Sequence, residues 1–205
     1  MNWFKKLLGG KDTGAGTPGA ATRANAAAPA AVAPPKPAAA ANTQDLETLV
    51  AEGAKYYFGQ GVTQDYEQAR KRFVPAAERG DHRAQVMLGI LYDNGFGVAK
   101  DYRQAMEWFK RAEAQGNIQA RFCIGVMHRD GHGVPQSYPE GARWIRQAAD
   151  QGSDEAQFNL GVMHLHGHGV TQDMSEAAKW WRLAAAQGNA NAKTNLSILA
   201  NKGVR

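Results

Sequence analysis

Histidine is the residue type in this 205-residue chain best placed to do chemistry. His128 and His132 stand four apart, and His164 and His168 repeat the pair one 36-residue period later, with His166 between them. Two stacked pairs at i and i+4 could bring several imidazoles together, a geometry that zinc or nickel can use. The same columns hold Tyr92 and Phe96 one period earlier, and Tyr56 and Gln60 before that. A column that exchanges aromatic rings for imidazoles reads more simply as packing. A metal-responsive module built on the histidine pairs is therefore the alternative reading, and no residue is assigned as a metal ligand. Other chemistry is thinner. The single cysteine, Cys123, excludes an intrachain disulfide, and the sequence shows no basic pocket to activate its thiol. Asp65 with Glu67, or Glu140 with Glu176, could be offered as paired acids, but their recurrence at helix-cap positions already explains them. No nucleophile motif appears, and no strand precedes any G-x-G turn, so these glycines are not a phosphate cradle. The expectation is a protein with no catalytic residues and no cofactor.

The elements that must position these side chains are set by a repeat. Gly59/Gly61, Gly95/Gly97, Gly131/Gly133 and Gly167/Gly169 each sit in a G-x-G-V turn at a fixed 36-residue step. Gly80, Gly116, Gly152 and Gly188 keep the same step, as do Gly53, Gly89, Gly125 and Gly161. Periods of about 20–50 residues mark stacked arrays, whose usual work is binding. Each period carries two helix starts. Asp45, Asp81, Asn117, Ser153 and Asn189 are cap-type residues that open a helix A. Asp65, Asp101, Ser137 and Asp173, followed three residues on by Gln68, Gln104, Glu140 and Glu176, predict a capping box that opens a helix B. Helix A carries an apolar stripe, Ala84, Leu88 and Leu91 in one copy. Helix B alternates small residues with Phe73, Phe109, Ile145 and Trp181, so the two helices should interlock as an antiparallel pair.

The pattern A-x-x-x-L-G-x-x-Y-x-x-G-x-G-V followed by D-Y-x-x-A-x-x-W-F-x-x-A-x-x-Q-G, nearly complete in residues 82–117 with Tyr92, Tyr102, Trp108 and Phe109, resembles the Sel-1-like repeat of the tetratricopeptide superfamily. The resemblance covers about 45–205. It implies an all-α, right-handed α-solenoid of antiparallel helix pairs that scaffolds protein complexes, with helix A on the concave side. Four repeats (45–80, 81–116, 117–152 and 153–188) would be closed by a capping helix in 189–205. Departures fall in the first copy. Pro75 lies inside helix B and should kink or shorten it, and Arg72 replaces the tryptophan of Trp108, Trp144 and Trp180. A more polar first repeat suits a terminal cap. At the other end Lys193, Thr194 and Asn195 suit a solvent-facing lid.

With Leu88 and Leu91 turned toward helix B, the other side of helix A presents Arg83, Val86, Ile90 and Asp93. The equivalent sets are Gln119, Phe122, Val126 and Arg129, then Glu155, Phe158, Val162 and His166. Apolar centres flanked by varied polar residues are what a peptide groove needs, so these twelve form the expected partner-binding surface. The competing use of Phe122 and Phe158 is packing between neighbouring repeats.

The ends of the charge distribution differ. The chain holds 24 Lys and Arg against 19 Asp and Glu, but Lys5, Lys6, Lys11, Arg23 and Lys36 face only Asp12 within residues 1–44. The repeat body is thus near neutral, which argues against a nucleic-acid partner. Residues 1–8 place Trp3, Phe4, Leu7 and Leu8 opposite Lys5 and Lys6. Such a segment could lie on an anionic membrane surface or enter a partner's groove. Its apolar stretch ends at Gly9-Gly10, too short for a signal-peptide core. Residues 9–44, rich in Ala, Pro and Gly, are expected to be a disordered linker. The single cysteine favours a reducing compartment, so the expected location is the cytoplasm or, through residues 1–8, the inner face of a membrane.

Overall fold

A computed structural model describes residues 43–201 of the chain. Among the described residues there are nine α-helices and no strand: α1 (Thr43–Phe58), α2 (Tyr66–Glu78), α3 (His82–Asn94), α4 (Tyr102–Glu113), α5 (Ile118–Asp130), α6 (Tyr138–Asp150), α7 (Asp154–His166), α8 (Met174–Ala186) and α9 (Ala190–Asn201). The architecture is the all-α solenoid of antiparallel helix pairs that the 36-residue period predicts. None of the helices is long and apolar enough to cross a membrane. The amphipathic segment 1–8 and nearly all of the expected linker lie outside the described residues. Helix α1 begins two residues before the expected boundary, so Asp45 falls in its first turn instead of capping it. Its carboxylate still favours the positive end of the helix dipole there.

The helix B starts form as expected in one half only. Asp65 accepts from the Gln68 backbone N–H at 3.0 Å, Ser137 from Glu140 at 3.3 Å, and Asp173 from Ser175 and Glu176 at 2.8 and 3.1 Å. The reciprocal half of the capping box is absent, because the cap residues' own N–H groups are already used. Those of Asp65, Asp101, Ser137 and Asp173 donate to the carbonyls of Tyr56, Tyr92, His128 and His164 at 2.8–3.0 Å. Each G-x-G-V turn is thereby tied back onto helix A, and the third residue of the box is released. Glu140 and Glu176 turn instead to Arg143 and Lys179.

Helix B ends in the Schellman pattern, in which two backbone N–H groups reach back into the last turn. Gly80 donates to the Ala77 carbonyl and Asp81 to the Ala76 carbonyl, both at 3.0 Å. Gly152 and Ser153 do the same on Ala149 and Ala148, at 3.0 and 3.1 Å. Asp81 and Ser153 are also the N-caps of the next helices, accepting from Ala84 and Ala156. One residue therefore closes one helix and opens the following one, and no loop lies between repeats.

The chain divides into two compact units, one ending at Trp108 and the other beginning at Phe109, within α4. In the first, Phe73 is buried against Gly53, and helix α2 keeps the same 13 residues as its counterparts α6 and α8 despite Pro75. The expected shortening does not occur. Pro75 forfeits a single bond, to the Lys71 carbonyl, and Lys71 lies on the exposed side where water can replace it. Arg72, in the tryptophan column, bonds Glu52 at 3.1 Å and lies over the Tyr56 ring. In the second unit, Ala142, Ile145, Ala148, Ala156, Leu160 and Met163 form one core, and Ala177, Trp181, Ala184, Ala192 and Leu199 form another.

Candidate protein-interaction face

The twelve side chains expected to line a groove divide by unit. In α3, Val86 is fully buried and Ile90 is 7% exposed. All eight residues from Ala84 to Leu91 are buried, so α3 has no apolar face left open, and these two belong to the core. Arg83 is engaged by Asp81 at 2.8 Å, and Asp93 is half-buried.

The same columns are open in the second unit. Phe122, Val126, Phe158, Val162 and Leu165 are each half-buried. Phe122 rests against the α6–α7 core, while Phe158, Val162 and Leu165 rest against the α8–α9 core. Stacking between repeats and partial exposure are therefore both properties of these rings. The Phe158 carbonyl accepts from the Trp181 indole at 3.0 Å, and the two rings stack at 6.4 Å. This fixes the backbone under the open side chain. Polar residues frame the apolar strip. Gln119 donates to the Glu155 carboxylate at 3.4 Å, linking α5 to α7 at one end. Toward the other end, Arg129 donates to Asn159 at 2.9 Å and grips Asp130 with two bonds of 2.7 and 2.8 Å. Burial, reinforced by the neighbouring Asp154, pushes the Glu155 carboxyl up to about 7, and the Gln119 bond opposes the shift. His166, the last residue of α7, is exposed and stacks on His168 at 5.5 Å.

In the second histidine pair both rings are engaged in other contacts. His164 is buried, with Nδ1 3.1 Å from the Thr171 carbonyl and Nε2 3.2 Å from an Arg146 N–H. Nδ1 therefore carries the proton and Nε2 accepts, leaving neither nitrogen for a metal. His168 stacks on Tyr138 at 4.7 Å, as Phe96 stacks on Tyr66 at 4.6 Å two periods earlier. That shared role is the packing reading of this column. Among the described residues no group of three His, Cys, Asp or Glu side chains is arranged to hold a metal ion.

Two features of this face escaped the sequence. Ile198 of α9 continues the Ile90, Val126 and Val162 column and is 49% exposed, although its segment reads as a polar lid. Spacing alone could have found it. Gln64, Gln136 and Gln172 donate to the carbonyls of Tyr57, Arg129 and Leu165 at 2.8–3.0 Å, closing the ends of α1, α5 and α7, and Lys100 holds the same column after α3. Their repetition gave no cap signature, because glutamine is not a residue type sought at helix C-termini.

Helix pairs capped in series, with a part-open apolar strip on helix A, define a helical repeat array. The family model of the Sel1 repeat matches residues 51–81, 82–117, 119–153 and 154–189, and the chain belongs to that family. Proteins of this family are generally non-catalytic scaffolds for protein interactions. A protective antigen of uropathogenic Escherichia coli strains with an SLR fold is 34% identical, with a TM-score of 0.64 over 77% of this chain and 34% of its own. A Sel1 repeat protein from Oxalobacter formigenes is 28% identical, with a TM-score of 0.71 over 76% of this chain and 62% of its own. This chain thus spans about a third of the first relative and three fifths of the second. Cysteine rich protein B of Helicobacter pylori, 17% identical with a TM-score of 0.51 over 67% of this chain and 99% of its own, shares the fold. No curated protein matches the chain.

Proposed function

We propose that the protein is a non-catalytic adaptor that binds a peptide or helix of a partner protein on the helix A face of α5, α7 and α9. One observation carries the reading. Along one column of the second unit, Val126 and Val162 are half-buried and Ile198 is 49% exposed. A column closed by stacking would bury Val126 and Val162 as fully as the core residues beside them. Here the apolar strip stays part-open and is bordered by Phe122, Phe158, Gln119, Glu155 and Arg129, an apolar centre within a polar rim.

The test is affinity capture with the wild-type chain, with Phe122→Asp/Phe158→Asp, and with Val126→Lys, each first shown to be folded by circular dichroism. The reading expects the same partners to be lost from both variants. Retention of every partner by both would overturn it.

A further inference from the structure

We propose that, when no partner is bound, the open face of α5 and α7 is occupied by residues 1–8 of the same chain. The inference rests on the adaptor reading and adds its regulation: the partner must displace the chain's own segment.

Three observations support this occupant. The first is apolar fit. Phe122, Val126, Phe158 and Val162 leave an apolar strip part-covered, and Trp3, Phe4, Leu7 and Leu8 are the only cluster of large apolar residues in the 42 residues that precede α1. The second is charge. Asp130, Asp154 and Glu155 lie on α5 and α7 beside the strip, whereas residues 1–8 carry Lys5 and Lys6 and no acid. The third is reach. Residues 9–42 extend to roughly 110 Å at about 3.3 Å per residue. Nine helices laid side by side at about 10 Å each would span less. The segment can therefore reach the strip however the two units are arranged, and covalent attachment supplies an effective concentration on the order of millimolar. An intrinsically weak contact suffices to keep the face closed at that concentration.

Cys123 provides the readout. It is the only cysteine, it is half-buried on α5, and its Sγ lies 4.0 Å from the amide of Gln119 at the rim of the strip. The rate at which a thiol reagent labels Cys123 is compared between the full chain and a full-length variant with Trp3, Phe4, Leu7 and Leu8 replaced by serine. Docking predicts labelling about tenfold faster in the variant, from millimolar effective concentration against a submillimolar contact. It also predicts that a synthetic peptide of residues 1–8 restores protection to the variant, and that Phe158→Asp abolishes protection in the full chain. Equal rates in the full chain and the serine variant would overturn the proposal. If the serine variant instead loses only its cosedimentation with vesicles of phosphatidylglycerol, the segment is a membrane contact and the proposal again fails. Loss of captured partners from Phe122→Asp/Phe158→Asp alongside equal labelling rates would leave the adaptor reading standing without self-docking.

Discussion

Gly125 is fixed by what a methyl group would meet. A Cβ there would lie 2.7 Å from Ile145 Cγ1, 3.0 Å from the Ile145 backbone nitrogen and 3.1 Å from the Gly141 carbonyl oxygen. A flexible side-chain tip could yield, but two backbones in a packed helix pair cannot. Alanine gains about 1 kcal/mol of helix propensity, and overpacking costs about 1–3 kcal/mol. Gly125→Ala is expected to lower stability by about 1–2 kcal/mol in urea titrations, although the same exchange in an exposed helix would raise it. Glu155 gives a prediction of the opposite sign. Its folded value near 7 lies above the ordinary 4.5, so the native state holds more protons than the unfolded chain between those values. Stability is therefore lost as pH rises from about 4.5 through about 7, and ionised Glu155 is a cost above that window. Glu155→Gln is expected to stabilise the chain by about 1–2 kcal/mol at pH 8 and by almost nothing at pH 4, measured by urea titration at both.

At the scale of elements, the caps divide labour in a way that single substitutions can resolve. Asp173 binds two backbone N–H groups at the start of α8, so Asp173→Ala should cost about 1 kcal/mol. Glu176 stands where a capping box would need it but pairs with exposed Lys179, so Glu176→Gln should cost no more than about 0.3 kcal/mol. A full box would make the two losses similar; thermal melts of both variants distinguish the cases. Most of this level was legible in the residues. Asp81, Asn117 and Ser153 as caps, and Gly80 and Gly152 as stops, follow from local chemistry that needs no knowledge of neighbours. The misreadings that bear on the candidate face concern neighbours. The box failed because the Tyr56 and His164 carbonyls claim the cap N–H groups. Val86 and Ile90 looked like Phe122 and Val126 because periodicity assigns a face and cannot say what covers it. Ile198 was passed over because Lys193, Thr194 and Asn195 beside it are polar.

At the scale of the whole molecule, a linear array couples each repeat mainly to its neighbours. Trp181 is the largest fully buried side chain and sits in the α8–α9 core with Ala177, Ala184 and Leu199. Trp181→Ala is expected to cost about 3–5 kcal/mol. Its effect should also be local. Native-state hydrogen exchange should show faster opening of α7, α8 and α9 with little change in α1, α2 and α3. Uniform acceleration across all the helices would mean that the chain behaves as one cooperative globule. The adaptor reading gains from locality, since side chains on one repeat can then vary for a partner without unsettling the rest.

The double duty of Asp81 and Ser153 has a consequence for how such a chain can change in length over evolutionary time. An insertion of even one residue at the joint would separate the acceptor that opens a helix from the N–H that closes the one before it. Small gains and losses should therefore accumulate in the turns that follow helix A. At the joint itself the tolerated genetic event is the gain or loss of a whole 36-codon unit, which leaves an identical joint on either side.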